Sequence, residues 1–394
     1  MATTSPPASA VEANRRGMGA LQAGDPAAAI EHFSAAVAAD PASGALQRNL
    51  ASAWRALGDA AGELAALNAA LAIDRRDVIA WIRKAERHEA LEEKGAALAA
   101  WSAAVALGQQ LDPLPTTLAP LLAHGQAFVG GATDTMFAVV TDALTPLRST
   151  LSETEVRRGD AFVASALGRR QIYRNECAGV CYPFLPADEF FDRQHFPWMT
   201  AIEAQTDAIR AELLALLDDP GEALRPYVRM EAGTPDTIWA PLDGQLDWGA
   251  CFLWEYGEPN QPVLDRCPAT AAALAAIPGA RIPGRAPSAF FSMLKPRTRI
   301  PPHTGVTNTR AIVHLPLIVP PGCGFRVGGE TRQWQEGSAF AFDDTIEHEA
   351  WNDSDALRAV LIFDVWNPHL SAGERELLTR YFAAADASDF AIPR

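Results

Sequence analysis

Four of the eight histidines fall after residue 300, and two of them frame the chemistry this chain can do. His303 follows the rigid Pro301-Pro302 pair, and His348 closes the run FDDTIEHE, with Trp351 just beyond it. Arg358 comes ten residues later, inside the otherwise apolar stretch LRAVLIFDVW, where strand alternation puts it on one face with Val360 and Ile362. A guanidinium among inward-facing apolar residues is costly unless an anion meets it, whether an internal carboxylate or one carried by a ligand. Two neutral imidazoles can hold Fe(II) and leave coordination positions open. A keto acid chelates such an iron, and an arginine can clamp its far carboxylate through two parallel hydrogen bonds. The common facial triad adds a carboxylate two residues after the first histidine, but here that position is Gly305. Separate loop histidines satisfy the same spacing, so spacing alone leaves both readings open.

Positioning such groups requires a sheet, and the sequence supplies one. SAFFSML (288–294), TRAIVHLPLIV (309–319), GFRVGG (324–329), SAFAFDD (338–344) and LRAVLIFDVW (357–366) read as strands separated by Pro or Gly turns. Five strands at this spacing predict an antiparallel sandwich or barrel of jelly-roll kind. One helix is expected at about 198–217.

The first third of the chain has another character. Residues 13–110 are rich in Ala and Leu and carry a 34-residue period. Gly24-Asp25 and Gly58-Asp59 keep that spacing, as do Phe33, Leu67 and Trp101, then Ala36, Ala70 and Ala104. A large apolar residue with a small one three positions later is what two packed antiparallel helices require. These positions resemble the tetratricopeptide repeat, with Lys94-Gly95 expected at a degenerate third turn. A generic Ala-rich bundle is the blander alternative. Such an array offers a concave surface and no chemistry, which implies a held peptide or protein, or self-association.

The 394 residues exceed a single hydrophobic core. The expected layout is a disordered lead-in over 1–12, repeats over 13–110, a helical connector over 111–170 and the sheet domain over 171–394. Formal charge is −15, from 48 acidic against 33 basic residues, which disfavours nucleic acid and anionic membranes as partners. Five cysteines imply no disulfide framework, and the N-terminal run lacks the order of a secretory signal, so a cytoplasmic protein is expected. The CxxxC pair Cys177 and Cys181 has no partner pair for a zinc site.

The runs HTGVTNTRAIVHLPLIVP, GETRQWQEG, FDDTIEHEAWNDS and LIFDVWNP together resemble the aspartyl/asparaginyl β-hydroxylase family. That resemblance implies a tetratricopeptide α-solenoid followed by a double-stranded β-helix oxygenase that uses Fe(II), 2-oxoglutarate and O2. It assigns His303 and His348 as iron ligands and accepts Gly305 in place of the carboxylate. Arg358 and Ser292 match the residues that bind the distal carboxylate of 2-oxoglutarate, and His314 matches one near its keto-acid end. Arg310 and Ile312 fall in the implied substrate region, where the best-known animal members have an arginine at the position of Ile312. Trp248 and Trp254 are candidates for the same cleft, with core packing as their ordinary role. Asp343 and Asp344 either orient His348 or form a turn, and Trp334 reads as strand-edge packing. The implied activity is hydroxylation of an unactivated carbon, the β-carbon of an aspartyl or asparaginyl residue in a peptide or protein, with release of succinate and CO2. A radical halogenase, a free-amino-acid hydroxylase on the same two histidines, and a scaffold with an inert barrel are the alternatives.

Overall fold

The computed structural model describes residues 7–231, 233–235 and 237–388, in two compact units that divide between Ser152 and Glu153. The boundary cuts through the stretch expected to be a connector. Residues 1–6 of the expected lead-in lie outside the described residues, and the rest of it is already helical from Ala8.

The first unit contains α1 (Ala8–Gln22), α2 (Pro26–Ala39), α3 (Gly44–Leu57), α4 (Ala60–Ile73), α5 (Val78–Ala90), α6 (Lys94–Gly108) and α7 (Ala119–Arg148). The first six pair as three helical hairpins, and α7 packs against α6. The 34-residue period is the packing period: Phe33, Leu67 and Trp101, with Ala36, Ala70 and Ala104, are all fully buried. Asp25 and Asp59 accept the amides of Ala28 and Gly62 and so start α2 and α4. Gly24 and Gly58 end the preceding helices at φ of 78° and 84°. The third turn differs from the expected Lys94-Gly95. Glu92, 34 residues after Gly58, takes the same left-handed conformation at φ 57° despite its Cβ.

The second unit contains α8 (Glu153–Ala166), α9 (Met199–Glu203), α10 (Thr206–Asp218), α11 (Gln261–Leu264), α12 (Pro268–Ala275) and α13 (Ala372–Asp386) around two antiparallel sheets. Its strands are β1 (Leu224–Pro226), β2 (Trp248–Glu255), β3 (Glu258–Pro259), β4 (Ala289–Leu294), β5 (Thr298–His303), β6 (Arg310–Ile318), β7 (Cys323–Val327), β8 (Glu330–Arg332), β9 (Phe340–Phe342), β10 (His348–Asn352) and β11 (Arg358–Trp366). The larger sheet runs β1-β2-β4-β11-β6-β9, with β3 on β2, and the smaller runs β5-β10-β7-β8. The helix expected over 198–217 is two helices, because the Thr206 hydroxyl donates to the Glu203 carbonyl (2.6 Å) and interrupts the amide ladder.

Alternation on β6 and β11 divides the interior. Ala311, Val313, Leu315, Leu361 and Phe363 face one core, packed with α9, α10 and α12. Ile312, Val360 and Ile362 face the other, between the sheets, where the chemistry-bearing residues also lie. Among the described residues no helix is long and apolar enough to cross a membrane.

The left-handed backbone at Glu92 gives the first prediction. A non-glycine residue there costs on the order of 1 kcal/mol, so Glu92→Gly should stabilise the helical unit by up to about that much. The urea midpoint of the helical signal of the full chain checks this, and an unchanged or lowered midpoint would count against the register.

Candidate active site

His303 ends β5 and His348 begins β10, and the register pairs them directly across the smaller sheet. Their ring centroids lie 4.1 Å apart. Each ring is oriented in the same way: Nδ1–H of His303 donates to the Pro301 carbonyl (2.8 Å), and Nδ1–H of His348 to the Ile346 carbonyl (3.0 Å). In both cases the acceptor is two residues back, which leaves Nε2 as the lone-pair nitrogen. Burial pushes His303 below the ordinary imidazole range. His348 is brought down to about 3, first by burial and then by the charge of His303. Two neutral imidazoles thus present Nε2 to shared space, walled by Trp239 (4.9 Å from His303) and Phe342 (5.2 Å from His348).

Arg358 opens β11 with 1% exposure, and among the described residues it meets no carboxylate. Its guanidinium lies flat on Trp334, 3.9 Å from the ring centroid, and Nη1 donates to Ser292 Oγ at 3.3 Å. Nε has no partner. Burial alone brings its pKa down to about 9. Trp334, expected as edge packing, therefore forms the platform beneath the buried cation. Ser292 is fully buried on β4, and its oxygen also accepts Nε1–H of Trp248 (3.0 Å). His314, on the adjacent β6, is packed by Phe325, Phe340 and Phe342 at 4.9–5.4 Å. Its Nδ1 has no partner, and burial, reinforced by Arg358 and His348, drives it well below its ordinary range. Arg358, Ser292, Trp248 and His314 line one cavity of about 400 Å³ with the histidine pair.

That geometry meets an independent finding. Residues 203–368 match the family model described as aspartyl/asparaginyl beta-hydroxylase. Over these residues the chain is similar to that family. The chain is 34% identical over 188 residues to mouse aspartyl/asparaginyl beta-hydroxylase, covering 46% of this chain and 25% of the mouse protein. It is also 34% identical over 196 residues to the ornithine lipid ester-linked acyl 2-hydroxylase of Rhizobium tropici, covering 49% of this chain and 66% of that one. The chain thus spans only about a quarter of its mouse relative. Among solved structures, the TPR2B domain of yeast Sti1, in a complex with a pHsp70, aligns with 32% of this chain and 98% of its own, at 22% identity and a TM-score of 0.29.

Within the matched segment, the remaining expected residues separate. Arg310 lines the cavity, but its guanidinium is held by the buried Asp364 and by the Arg285 carbonyl (3.0 Å). Ile312 lines the same wall. Trp248 stacks on Tyr227 at 3.9 Å and bonds Ser292, which places it beside the arginine, whereas Trp254 packs in the other core. Of the two aspartates, Asp343 makes the turn: it accepts the amide and hydroxyl of Thr345 and the Asn175 amide. Neither aspartate accepts Nδ1–H of His348, because the Ile346 carbonyl does.

Asp344 instead fills the space beside Gly305, where a Cβ on residue 305 would collide with its carboxylate. The Gly305 amide donates to the Asp344 carbonyl at 2.6 Å. Burial lifts the Asp344 carboxyl to about 7, with Arg310 opposing and Asp343 and Asp364 adding. Among the described residues no group of three or more His, Cys, Asp or Glu side chains converges on one point, so an ion here would have His303 and His348 as its protein ligands. Sequence reasoning missed Trp239 and Tyr227, which sit outside the recognisable strands. An aromatic beside turn residues gave no period to read.

The three depressed imidazoles, His303, His348 and His314, set a pH dependence. In the unfolded chain they titrate near 6.5, so below that pH the unfolded state binds protons the folded state rejects. Their stabilising contribution is complete above about 6.5 and declines as the pH falls toward 3. Each such group costs at most about 1.4 kcal/mol per pH unit across that window. In metal-free protein His314→Gln should therefore lose up to about 2 kcal/mol less stability than the parent between pH 7 and 5. Urea midpoints at the two pH values measure this, and equal losses would mean that His314 is not held neutral.

Proposed function

We propose that this chain is an Fe(II)- and 2-oxoglutarate-dependent hydroxylase whose site is the cavity between the two sheets. The observation that carries the reading is Arg358: a buried guanidinium with no carboxylate, aimed into the cavity that the two neutral histidines share. A cation out of water in such a position is costly unless an anion completes it, and the distal carboxylate of 2-oxoglutarate would do so.

The residues fit the group. His303 and His348 would hold Fe(II) through Nε2, with their tautomers fixed by the Pro301 and Ile346 carbonyls. Arg358 and the Ser292 hydroxyl would bind the distal carboxylate, and His314, whose Nδ1 has no partner, would serve its keto-acid end. The chemistry supplied at such a site is oxidation of a C–H bond to an alcohol by O2, coupled to conversion of 2-oxoglutarate into succinate and CO2. Trp239, Trp248 and Phe342 would keep water from the imidazoles, while the Asp344 side chain occupies the space beside Gly305. That occupied space leaves little room for a halide and favours hydroxylation over the halogenase reading, a choice that product mass with and without chloride would test.

The family relatives differ in what their names say they act on: aspartyl and asparaginyl residues for the mouse protein, an ester-linked acyl group for the Rhizobium tropici one. The repeat array would add a concave surface for a peptide or protein partner or for self-association.

His303→Ala or His348→Ala should abolish Fe(II) binding and turnover, since two protein ligands leave no redundancy. Retained iron in either variant refutes the metal assignment. Arg358→Leu deletes one partner of a buried charge pair, worth about 3–5 kcal/mol. Affinity for 2-oxoglutarate should therefore fall roughly a hundred- to several-thousand-fold. Arg358→Lys should recover part of the loss, because it keeps the charge without the fork. Iron affinity should stay near normal in both. Titration of 2-oxoglutarate through the metal-to-ligand charge-transfer band, with thermal melts as a folding control, decides the matter. Parent-like binding in a folded Arg358→Leu would mean that the cation serves another partner.

A further inference from the structure

The rings around the histidine pair are sorted by how easily they lose an electron. On the His348 side the neighbours are phenylalanines, Phe342 at 5.2 Å and Phe325 at 6.1 Å, which resist one-electron oxidation. On the His303 side they are indoles, Trp239 at 4.9 Å and Trp248 at 6.5 Å, which with phenols are the most readily oxidised rings in a protein. Cysteine and methionine, the usual targets of oxidation, are absent from the described lining of the cavity. Trp334 is a further indole near the site, and the Arg358 guanidinium lies flat on it at 3.9 Å. A cation over a ring face is held by the ring's electron density, so it opposes removal of an electron from that ring. An oxidising centre between these walls draws electrons most easily through the His303 side.

That side continues to the surface. Trp248 is 5% exposed and is fixed by its Nε1–H bond to Ser292 Oγ (3.0 Å), with Trp239 6.0 Å away. Tyr227 stacks on Trp248 at 3.9 Å with the ring planes 19° apart, and is itself 39% exposed. The stack is set by the backbone, because the Tyr227 amide donates to the Trp248 carbonyl (2.9 Å). Phe252 and Phe290 extend the row beyond Tyr227, so the phenol is its last oxidisable ring in that direction. The carboxylates of Glu255 and Asp344 bear on Tyr227, and negative charge favours a ring that has lost an electron.

We propose that Trp248 and Tyr227 form an electron relay from the histidine pair to solvent, a second activity that resets the site when O2 and 2-oxoglutarate are consumed without a substrate C–H. The proposal rests on the hydroxylase reading for the oxidant. In such an unproductive cycle 2-oxoglutarate and O2 give succinate, CO2 and one oxygen atom that has no C–H to enter. Two electrons and two protons release that atom as water. Each electron leaves Tyr227 and passes inward through Trp248, while the phenol proton goes to solvent and a tyrosyl radical remains. A one-electron donor of the ascorbate or thiol class returns an electron and a proton to Tyr227, so one cycle consumes two donor equivalents.

Two experiments test this. In the first, metal-free full-length protein is photo-oxidised with ruthenium tris-bipyridyl and persulfate, and peptide mass spectrometry locates the added oxygen. The sensitiser is too bulky to touch the buried Trp248. Oxidation there should appear in the parent and fall several-fold in Tyr227→Phe, which keeps the ring and removes the oxidisable phenol. In the second, Fe(II)-loaded protein receives 2-oxoglutarate and O2 without substrate and is freeze-quenched for electron paramagnetic resonance. A tyrosyl radical should form in the parent, disappear in Tyr227→Phe and be quenched by ascorbate. Oxygen should accumulate on Trp248 and Trp239 rather than on His303 or His348, and faster in Tyr227→Phe. Equal Trp248 oxidation in parent and variant in the first experiment, or no tyrosyl radical in a sample that makes succinate, overturns the proposal. The 2-oxoglutarate charge-transfer band keeps the two readings apart. Trp248 oxidation through Tyr227 without that band refutes only the iron and 2-oxoglutarate assignment, and the band with succinate but no tyrosyl radical refutes only this inference.

Discussion

A guanidinium out of water without a carboxylate is among the most expensive arrangements a fold can hold, and the second unit is arranged around one. Arg358 is positioned by the start of β11, supported on its flat face by Trp334 and touched at one amine by Ser292. Trp248 in turn bonds Ser292, and its ring begins the aromatic row that leads out of the cavity. The cost is tolerable because the arginine face is met by rings rather than by bare hydrocarbon. It also holds the cavity ready for an anion. The same low-dielectric surroundings keep His303, His348 and His314 neutral, and neutrality is the state in which an imidazole is a ligand. One constraint, burial, thus tunes both the anion site and the histidine pair.

How much of this was legible in the sequence follows from which physical signals are local. The 34-residue period was readable because Phe33, Leu67 and Trp101 must each fill one inter-helix space, and their spacing survives in the chain. The five apolar strands were readable through alternation, which also placed Arg358, Val360 and Ile362 together. β5 and β10 were harder. Pro301 and Pro302 break any strand signature in β5, and β10 is only five residues long, so the direct pairing of His303 with His348 emerges only from the sheet register. The role of Trp334 was hidden for a related reason: its partner lies 24 residues away on another strand, and no local pattern records which face a ring offers. The third turn shows the opposite failure. A glycine was expected to mark it, but Glu92 adopts the left-handed backbone because the hairpin geometry of α5 and α6 demands it.

Alternation also separates two functions on neighbouring strands. Arg358 and Ser292 lie at the deep ends of β11 and β4, where the register pairs Ser292 with Val360 and Leu294 with Arg358. Arg310 and Ile312 lie on β6, opposite Trp366 and Asp364 near the other end of β11. Arg358 and the stretch that faces Ile312 are thus several residues apart along β11. Between them Leu361 and Phe363 point into the opposite core and brace β11 from behind. A change at position 312 alters the wall without moving the arginine or the histidines, because each hangs from a backbone position fixed by ladder hydrogen bonds rather than by the neighbouring side chain. The wall can therefore change while the buried arginine and the histidine pair stay where they are. On this geometry, the side chain at position 312 sets the character of the cavity wall and leaves the positions of Arg358, His303 and His348 unchanged.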